Sequence, residues 1–357
     1  MDLTPFSYMA LMAILTTFVV SMLLVKFRHR HIHVSSNNVT GIQDVHHGDV
    51  PRIGGVALFI GLAVAWVIAP KDLAEFLRPL FFCACPLFFI GFLEDITGKV
   101  SVGLRFIVSF ASALLAKYLI GVGITQVGVL VVDGFLGTEL GSYLFTAFAV
   151  AGIVNAINIV DGFNGLAASV VITVCLVFAY LAALSADDLM VQYSLLIAAV
   201  TLGFVLVNYP KGSLFLGDGG AYVLGFLVAW IAILVPHRSA NVSNWSSLLV
   251  LSYPVIEVLF TIYRRVKRRQ HPGHPDRLHL HSLIYRRVIC QYFPALPKYL
   301  KNALVMPIIL IYMLLSEGLV LVFYNDKSSL IICFLGCAWI YNVLYRRLVF
   351  FKWSLMS

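Results

Sequence analysis

Residues 6–25 of this chain contain no charged side chain, and runs of similar length, nearly as apolar, recur to its C-terminal end. A helix of about 20 apolar residues spans the hydrocarbon core of a bilayer, where each backbone N–H and C=O must find its partner inside the segment. Polar punctuation sets off runs at 6–25, 54–70, 79–93, 102–120, 139–157, 166–184, 190–208, 214–235, 246–263, 301–323 and 328–348. The pattern predicts an all-α polytopic membrane protein with about 11 transmembrane helices. One integral-membrane domain over residues 1–357 is expected, with polar loops near 26–53, 94–105, 155–165, 208–218 and 264–301. Composition agrees, since 61% of the 357 residues are apolar and 12% are charged, half the charge of an ordinary soluble domain. A water-soluble globule has too little interior for that much apolar surface, which excludes soluble enzymes, DNA-binding domains and secreted disulfide scaffolds. The six cysteines (Cys83, Cys85, Cys175, Cys290, Cys333, Cys337) fall mostly inside apolar runs and lack zinc-site spacing. They read as small buried apolar residues.

A net charge of +8 would suggest nucleic-acid binding in a soluble protein, but here the basic residues are confined to particular loops. Twenty of the 25 Lys and Arg lie in alternate loops, from 26–53 through 264–301, and in the tail from Arg346. The positive-inside rule makes those loops cytoplasmic, with a periplasmic N-terminus and a cytoplasmic C-terminus. No nucleic-acid partner is expected. The run Arg264, Arg265, Lys267, Arg268 and Arg269 reads first as an anchor to anionic headgroups of membrane lipids, and second as a guide for a nucleotide.

The same side collects the polar residues that are costly near a membrane. Glu94-Asp95 closes one apolar helix, and Asn155-x-x-Asn158-x-x-Asp161-Gly162-x-Asn164-Gly165 lies between two others. Phe215-Leu216-Gly217-Asp218-Gly219-Gly220 opens a further span, and Asp276-Arg277-x-His279-Leu280-His281 lies in the long basic loop. Each carboxylate alone could be a helix cap or a solvated boundary residue. Converging from separate helix ends, they are what Mg²⁺ requires, because it takes oxygen ligands and shares them with substrate phosphate. Glycines beside Asp161 and Asp218 let backbone N–H groups approach an anion, and Arg277, His279 and His281 add donors. The segment His46-His47-Gly48-Asp49-Val50-Pro51-Arg52-Ile53-Gly54-Gly55 either breaks a helix start or lines the site.

The Pro51-Arg52-Ile53-Gly54-Gly55 entry, the run from Asn155 to Gly165, the Gly217-Asp218-Gly219-Gly220-Ala221 turn and the Asp276-Arg277-x-His279-Leu280-His281 loop, in this order, resemble the polyprenyl-phosphate N-acetylhexosamine-1-phosphate transferases from about His46 to His281. The resemblance implies transfer of a sugar 1-phosphate from a UDP-N-acetylhexosamine to undecaprenyl phosphate at the cytoplasmic face of a bacterial inner membrane, with release of UMP. It implies Mg²⁺, for which Mn²⁺ can substitute, and it is compatible with a homodimer. Asp218 matches the metal-ligating aspartate, and Asp95 the second of the paired acids that deprotonate or position the lipid phosphate. Asn158 and Asp161 match positions that line the nucleoside pocket, and Phe215 an aromatic that stacks on uracil. His279 and His281 match a histidine loop near the diphosphate, with Arg277 and His47 as further candidate substrate contacts. Glu94 and Asn164 stand where aspartates are usual, and Ser282 replaces a further histidine. Ser282-Leu283 after His281 favours the branch that initiates O-antigen or teichoic acid over the peptidoglycan branch. A transporter or flippase of nucleotide or lipid-linked sugar would place polar groups near the midplane and repeat internally. That reading remains the alternative, together with an inactive relative.

Overall fold

The computed structural model describes residues 4–30, 50–267 and 278–350, and among them every regular element is helical. Helix α1 is Thr4–Lys26, α2 Gly54–Ile68, α3 Lys71–Thr97, α4 Val102–Ile120 and α5 Leu130–Leu136. They are followed by α6 Glu139–Val160, α7 Leu166–Leu184, α8 Asp188–Asn208, α9 Gly217–Arg238, α10 Asn244–Val250 and α11 Ser252–Lys267. Beyond the basic loop, α12 is Leu280–Ile284, α13 Lys298–Ala303, α14 Val305–Phe323 and α15 Lys327–Phe350. Among the described residues nine helices are long and apolar enough to cross a membrane, or ten if α10 and α11 form one broken span.

Two of the eleven expected spans differ from the sequence pattern. The 54–70 run becomes a 15-residue helix, about 22 Å at 1.5 Å per residue and short of a full crossing. Pro70 stops it by starting α3 as its N-cap residue. The 246–263 run bends by 76° between α10 and α11. Pro254 supplies the reason, because it cannot donate to the Val250 carbonyl one turn back and its ring crowds that carbonyl. One face of α11 buries Glu257, Thr261 and Arg264, while Leu259, Ile262, Tyr263 and Val266 on the other are exposed. A helix with that division suits a membrane boundary. The 79–93 run lengthens to 27 residues in α3, where Leu73, Leu77 and Leu80 bury one face at helical spacing.

Helix α9 is the axis of the fold. It is buried through its whole apolar length, and α2, α3, α6, α7 and α8 pack around it. Close approach of α3 depends on Gly91, where an added Cβ would lie 2.5 Å from the backbone of Gly219. Such a contact is too tight for any side chain, so the end of α3 and the start of α9 touch backbone to backbone.

Candidate active site

The chain enters α9 through Gly217, whose φ of +76° suits glycine. The first N–H groups of a helix have no partner inside it. Here they are satisfied from a different helix: Asp95 on α3 accepts Asp218 N–H at 2.8 Å and Gly219 N–H at 3.0 Å. A carboxylate at the positive end of a helix dipole is favourable. Asp95 therefore fixes the direction in which the Asp218 side chain leaves the helix.

Asp218 is 8% exposed and is held on both oxygens. Its Oδ1 accepts from Asn158 Nδ2 at 3.0 Å, and its Oδ2 accepts from Arg105 and from Tyr222 Oη at 3.2 Å. Arg105, in the first turn of α4, also lies 3.7 Å from Glu94, and Glu94 Oε2 accepts the Val100 N–H at 2.7 Å. Asp161 follows the last residue of α6. Burial pushes its carboxyl up to about 7; Arg52 draws it down, the Asp218 charge raises it, and the Gly217 N–H draws it down again. His279 and His281 complete the cluster as buried rings stacked 5.2 Å apart at 14°.

These groups face one large cavity of about 1720 Å³. Arg52, Arg105, Asn158, Asp161, Asp218, His279 and His281 line one end of it. Phe148, Ile153, Ile233 and Val255 line its middle, and the other end reaches the 123–129 loop, Trp245 and Lys327. Ionic and amide groups at one end and an apolar cleft alongside form a receptacle for an amphiphile with an anionic head.

The structure thus brings together Asn158, Asp161, Asp218, His279 and His281 out of the residues expected from sequence. Glu94 and Asp95 stand beside them without lining the cavity. Asn164 is buried away from it: its Nδ2 donates to the Pro210 carbonyl at 2.9 Å, and its N–H donates to Asn302 Oδ1 at 2.7 Å. Phe215 is not among the lining residues either. Its N–H donates to the Pro51 carbonyl, and its carbonyl accepts the Gly54 N–H, each at 2.9 Å. His47 and Arg277 lie outside the described residues. The sequence reading did not single out Arg105, counted only among the basic loop residues, or Glu257, a lone acid inside an apolar run. The second carries a signal of its own, because an ionisable residue within a span is costly unless it is used.

No three His, Cys, Asp or Glu side chains converge into a metal cage among the described residues. Zinc would need such a cage. Mg²⁺ is held differently, by one or two carboxylates plus substrate phosphates and water. Asp218, a hard oxygen donor at the cavity wall, fits that requirement.

Fold and site together define a multi-pass helical membrane protein with an ionic site at one end of an apolar cleft. Residues 77–236 match the family model of glycosyl transferase family 4. The chain is 28% identical over 277 residues to the probable undecaprenyl-phosphate N-acetylglucosaminyl 1-phosphate transferase of Bacillus subtilis, covering 75% of this chain and 76% of that one. It is also 28% identical over 258 residues to the undecaprenyl-phosphate alpha-N-acetylglucosaminyl 1-phosphate transferase of Yersinia pestis, covering 68% and 67%. The Escherichia coli K12 protein described in the same words is 28% identical over 252 residues, covering 68% and 66%.

Proposed function

We propose that this chain transfers N-acetylhexosamine 1-phosphate from a UDP-sugar to undecaprenyl phosphate, releasing UMP and starting a cell-surface polysaccharide such as O-antigen. The observation that carries the reading is the position of Asp218, where an ionic cluster meets an apolar cleft inside one cavity. The relatives named above carry the same activity in their descriptions and make UDP-N-acetylglucosamine the first donor to test.

In the reaction an oxygen of the lipid phosphate attacks the β-phosphorus of the UDP-sugar. The bond from that phosphorus to the α–β bridging oxygen breaks, UMP leaves with the oxygen, and a lipid-pyrophosphate-sugar remains. The nucleophile is already anionic, so no strong base is needed. Catalysis then consists of positioning and charge neutralisation. Arg105, His279 and His281 donate to phosphate oxygens, and Asn158 and Asp161 border the nucleotide. Asp95 keeps the start of α9, and with it Asp218, in register. Asp218 would hold a divalent cation, Mg²⁺ or in its place Mn²⁺, which would supply positive charge to offset that of the phosphates. The distribution of Lys and Arg supports a cytoplasmic site in the inner membrane. The same Lys and Arg bias favours a periplasmic N-terminus and a cytoplasmic C-terminus; a homodimer is compatible with this reading.

The test is UMP release by purified protein given undecaprenyl phosphate, Mg²⁺ and a panel of UDP-N-acetylhexosamines. Release with one sugar, abolished by EDTA and restored by Mg²⁺, is expected. Silence across the panel from folded protein would overturn the reading.

A further inference from the structure

Glu257 lies midway along α11, is 0% exposed and has no place in the cavity lining. A carboxylate taken out of water is costly unless donors replace the water it loses. Three donors do so here. Glu257 Oε1 accepts from His279 Nδ1 at 2.9 Å. Its Oε2 accepts the Leu280 N–H at 3.0 Å and Tyr341 Oη, from α15, at 2.8 Å. One buried side chain thus ties the bent span, the histidine segment and the last described helix together.

The consequence lies in the imidazole. An ionised carboxylate can only accept, so Nδ1 of His279 carries the hydrogen in this bond. His279 itself lines the cavity, which makes Nε2, on the opposite side of the ring, the nitrogen available to a ligand there. His281 is held by the same atom, with its Nδ1 2.9 Å from Tyr253 Oη. The two rings, each held at Nδ1, stack nearly parallel. Partners behind a working histidine set its tautomer and its direction.

We infer that Glu257 is a positioning residue for phosphoryl transfer, accepting from Nδ1–H of His279 so that the ring, protonated on both nitrogens when phosphate is bound, presents Nε2–H to the phosphate groups in the cavity, and that Tyr341 holds Glu257 in turn. The inference rests on the transferase reading above. Glu257 acts on the step in which charge moves, through His279, and not on nucleoside binding.

The test is steady-state UMP release by the full chain with UDP-N-acetylglucosamine, undecaprenyl phosphate and Mg²⁺. Glu257→Gln should lower kcat by about 10- to 100-fold, the usual cost of losing such a partner. KM for the UDP-sugar should stay within about threefold, as expected when an interaction made only in the transition state is lost. In a His279→Asn background, Glu257→Gln should add no further loss, because its route of action is already gone. Tyr341→Phe keeps the carboxylate in place and should show the same split at smaller size, which decides the matter if Glu257→Gln does not fold. Wild-type kcat in both Glu257→Gln and Tyr341→Phe would overturn the inference. So would losses that simply multiply with His279→Asn, the mark of a general structural role. Full turnover by His279→Asn alone would also overturn it while leaving the transferase reading intact. A wild-type protein that releases no UMP from any donor would overturn the transferase reading itself, and the inference with it.

Discussion

Asp218 and Glu257 are the same chemical group in two different settings. Both are buried carboxylates with three protein donors, and both sit on helices that lead to the same cavity. Asp218 faces the cavity and takes its donors from side chains, Arg105, Asn158 and Tyr222, all of which line the cavity with it. Glu257 is sealed, and its donors come from packed elements, including a backbone N–H. The donors of Asp218 can be redistributed when a phosphate or a cation arrives. Those of Glu257 cannot, because the donating atoms, His279 Nδ1, the Leu280 N–H and Tyr341 Oη, are turned to the buried carboxylate and away from the cavity. An open carboxylate with mobile partners is placed to exchange ligands, whereas a closed one with fixed partners is placed to hold another residue still.

The largest expected effect tests the open member. Asp218→Asn keeps the shape and removes the charge; UMP release should fall by about 10³-fold or more, while helical content measured by circular dichroism in detergent stays unchanged. Turnover near wild type would remove Asp218 as the centre of the site and break the contrast. Arg105 comes next. Arg105→Ala should cost about 10²-fold in kcat, since a preorganised cation at the reacting phosphates is lost. Arg105→Lys should recover only part of that, because a shorter side chain ending in a compact ammonium does not reproduce the directed guanidinium nitrogen that meets both Asp218 and Glu94.

How much of this was legible beforehand depends on what each signal can carry. The runs at 102–120 and 166–184 coincide with α4 and α7 because local chemistry marks their ends. The Ser101 side chain accepts the Leu104 N–H at one start, and Gly121 and Gly165 take left-handed conformations at an end and a start. Hydropathy does not record direction, so the bend at Leu251 stayed hidden in an apolar run, with Pro254 its only trace. The paired-acid, asparagine-rich and Gly-Asp-Gly segments were visible because polar residues at the ends of spans are rare. Their division of labour was not. Asp95 as a cap for another helix, and Asn164 as a tie to Pro210 and Asn302, are long-range contacts that residue type cannot foretell. Arg105 enters only the charge balance of its loop, and Glu257 is a single acid inside an apolar run.

A third prediction concerns Asp161, at the edge of the open cluster. Its ordinary value is 3.8 and its folded value is about 7, so the folded chain keeps a proton that the unfolded chain has released. Between those values stability falls as pH rises, and above the folded value the loss is complete. Asp161→Asn is always neutral and escapes this dependence. Thermal unfolding in detergent, without divalent cation, should show the variant gaining a few degrees on wild type between about pH 5 and pH 8. Parallel curves would mean that Asp161 is ionised throughout, with the surrounding cations outweighing burial.

The smallest effect is expected at Glu94, which sits between the two types of setting. It is one of the two acids at the end of α3, but its Oε2 is occupied by the Val100 N–H and it does not line the cavity. Glu94→Asp shortens the side chain by about 1.5 Å, enough to strain the Val100 bond while leaving a negative charge near Arg105. A partly exposed hydrogen bond of this kind is worth about 1 kcal/mol, and Asp95, Asp218 and Asn158 are untouched. Turnover should therefore change by less than about tenfold, and the Mg²⁺ concentration for half-maximal rate should not move. A loss above about 100-fold would mean that the longer side chain works in the transfer itself. Glu94 would then share the open role of Asp218, because a carboxylate that only holds a loop can be shortened without changing what happens at the phosphate.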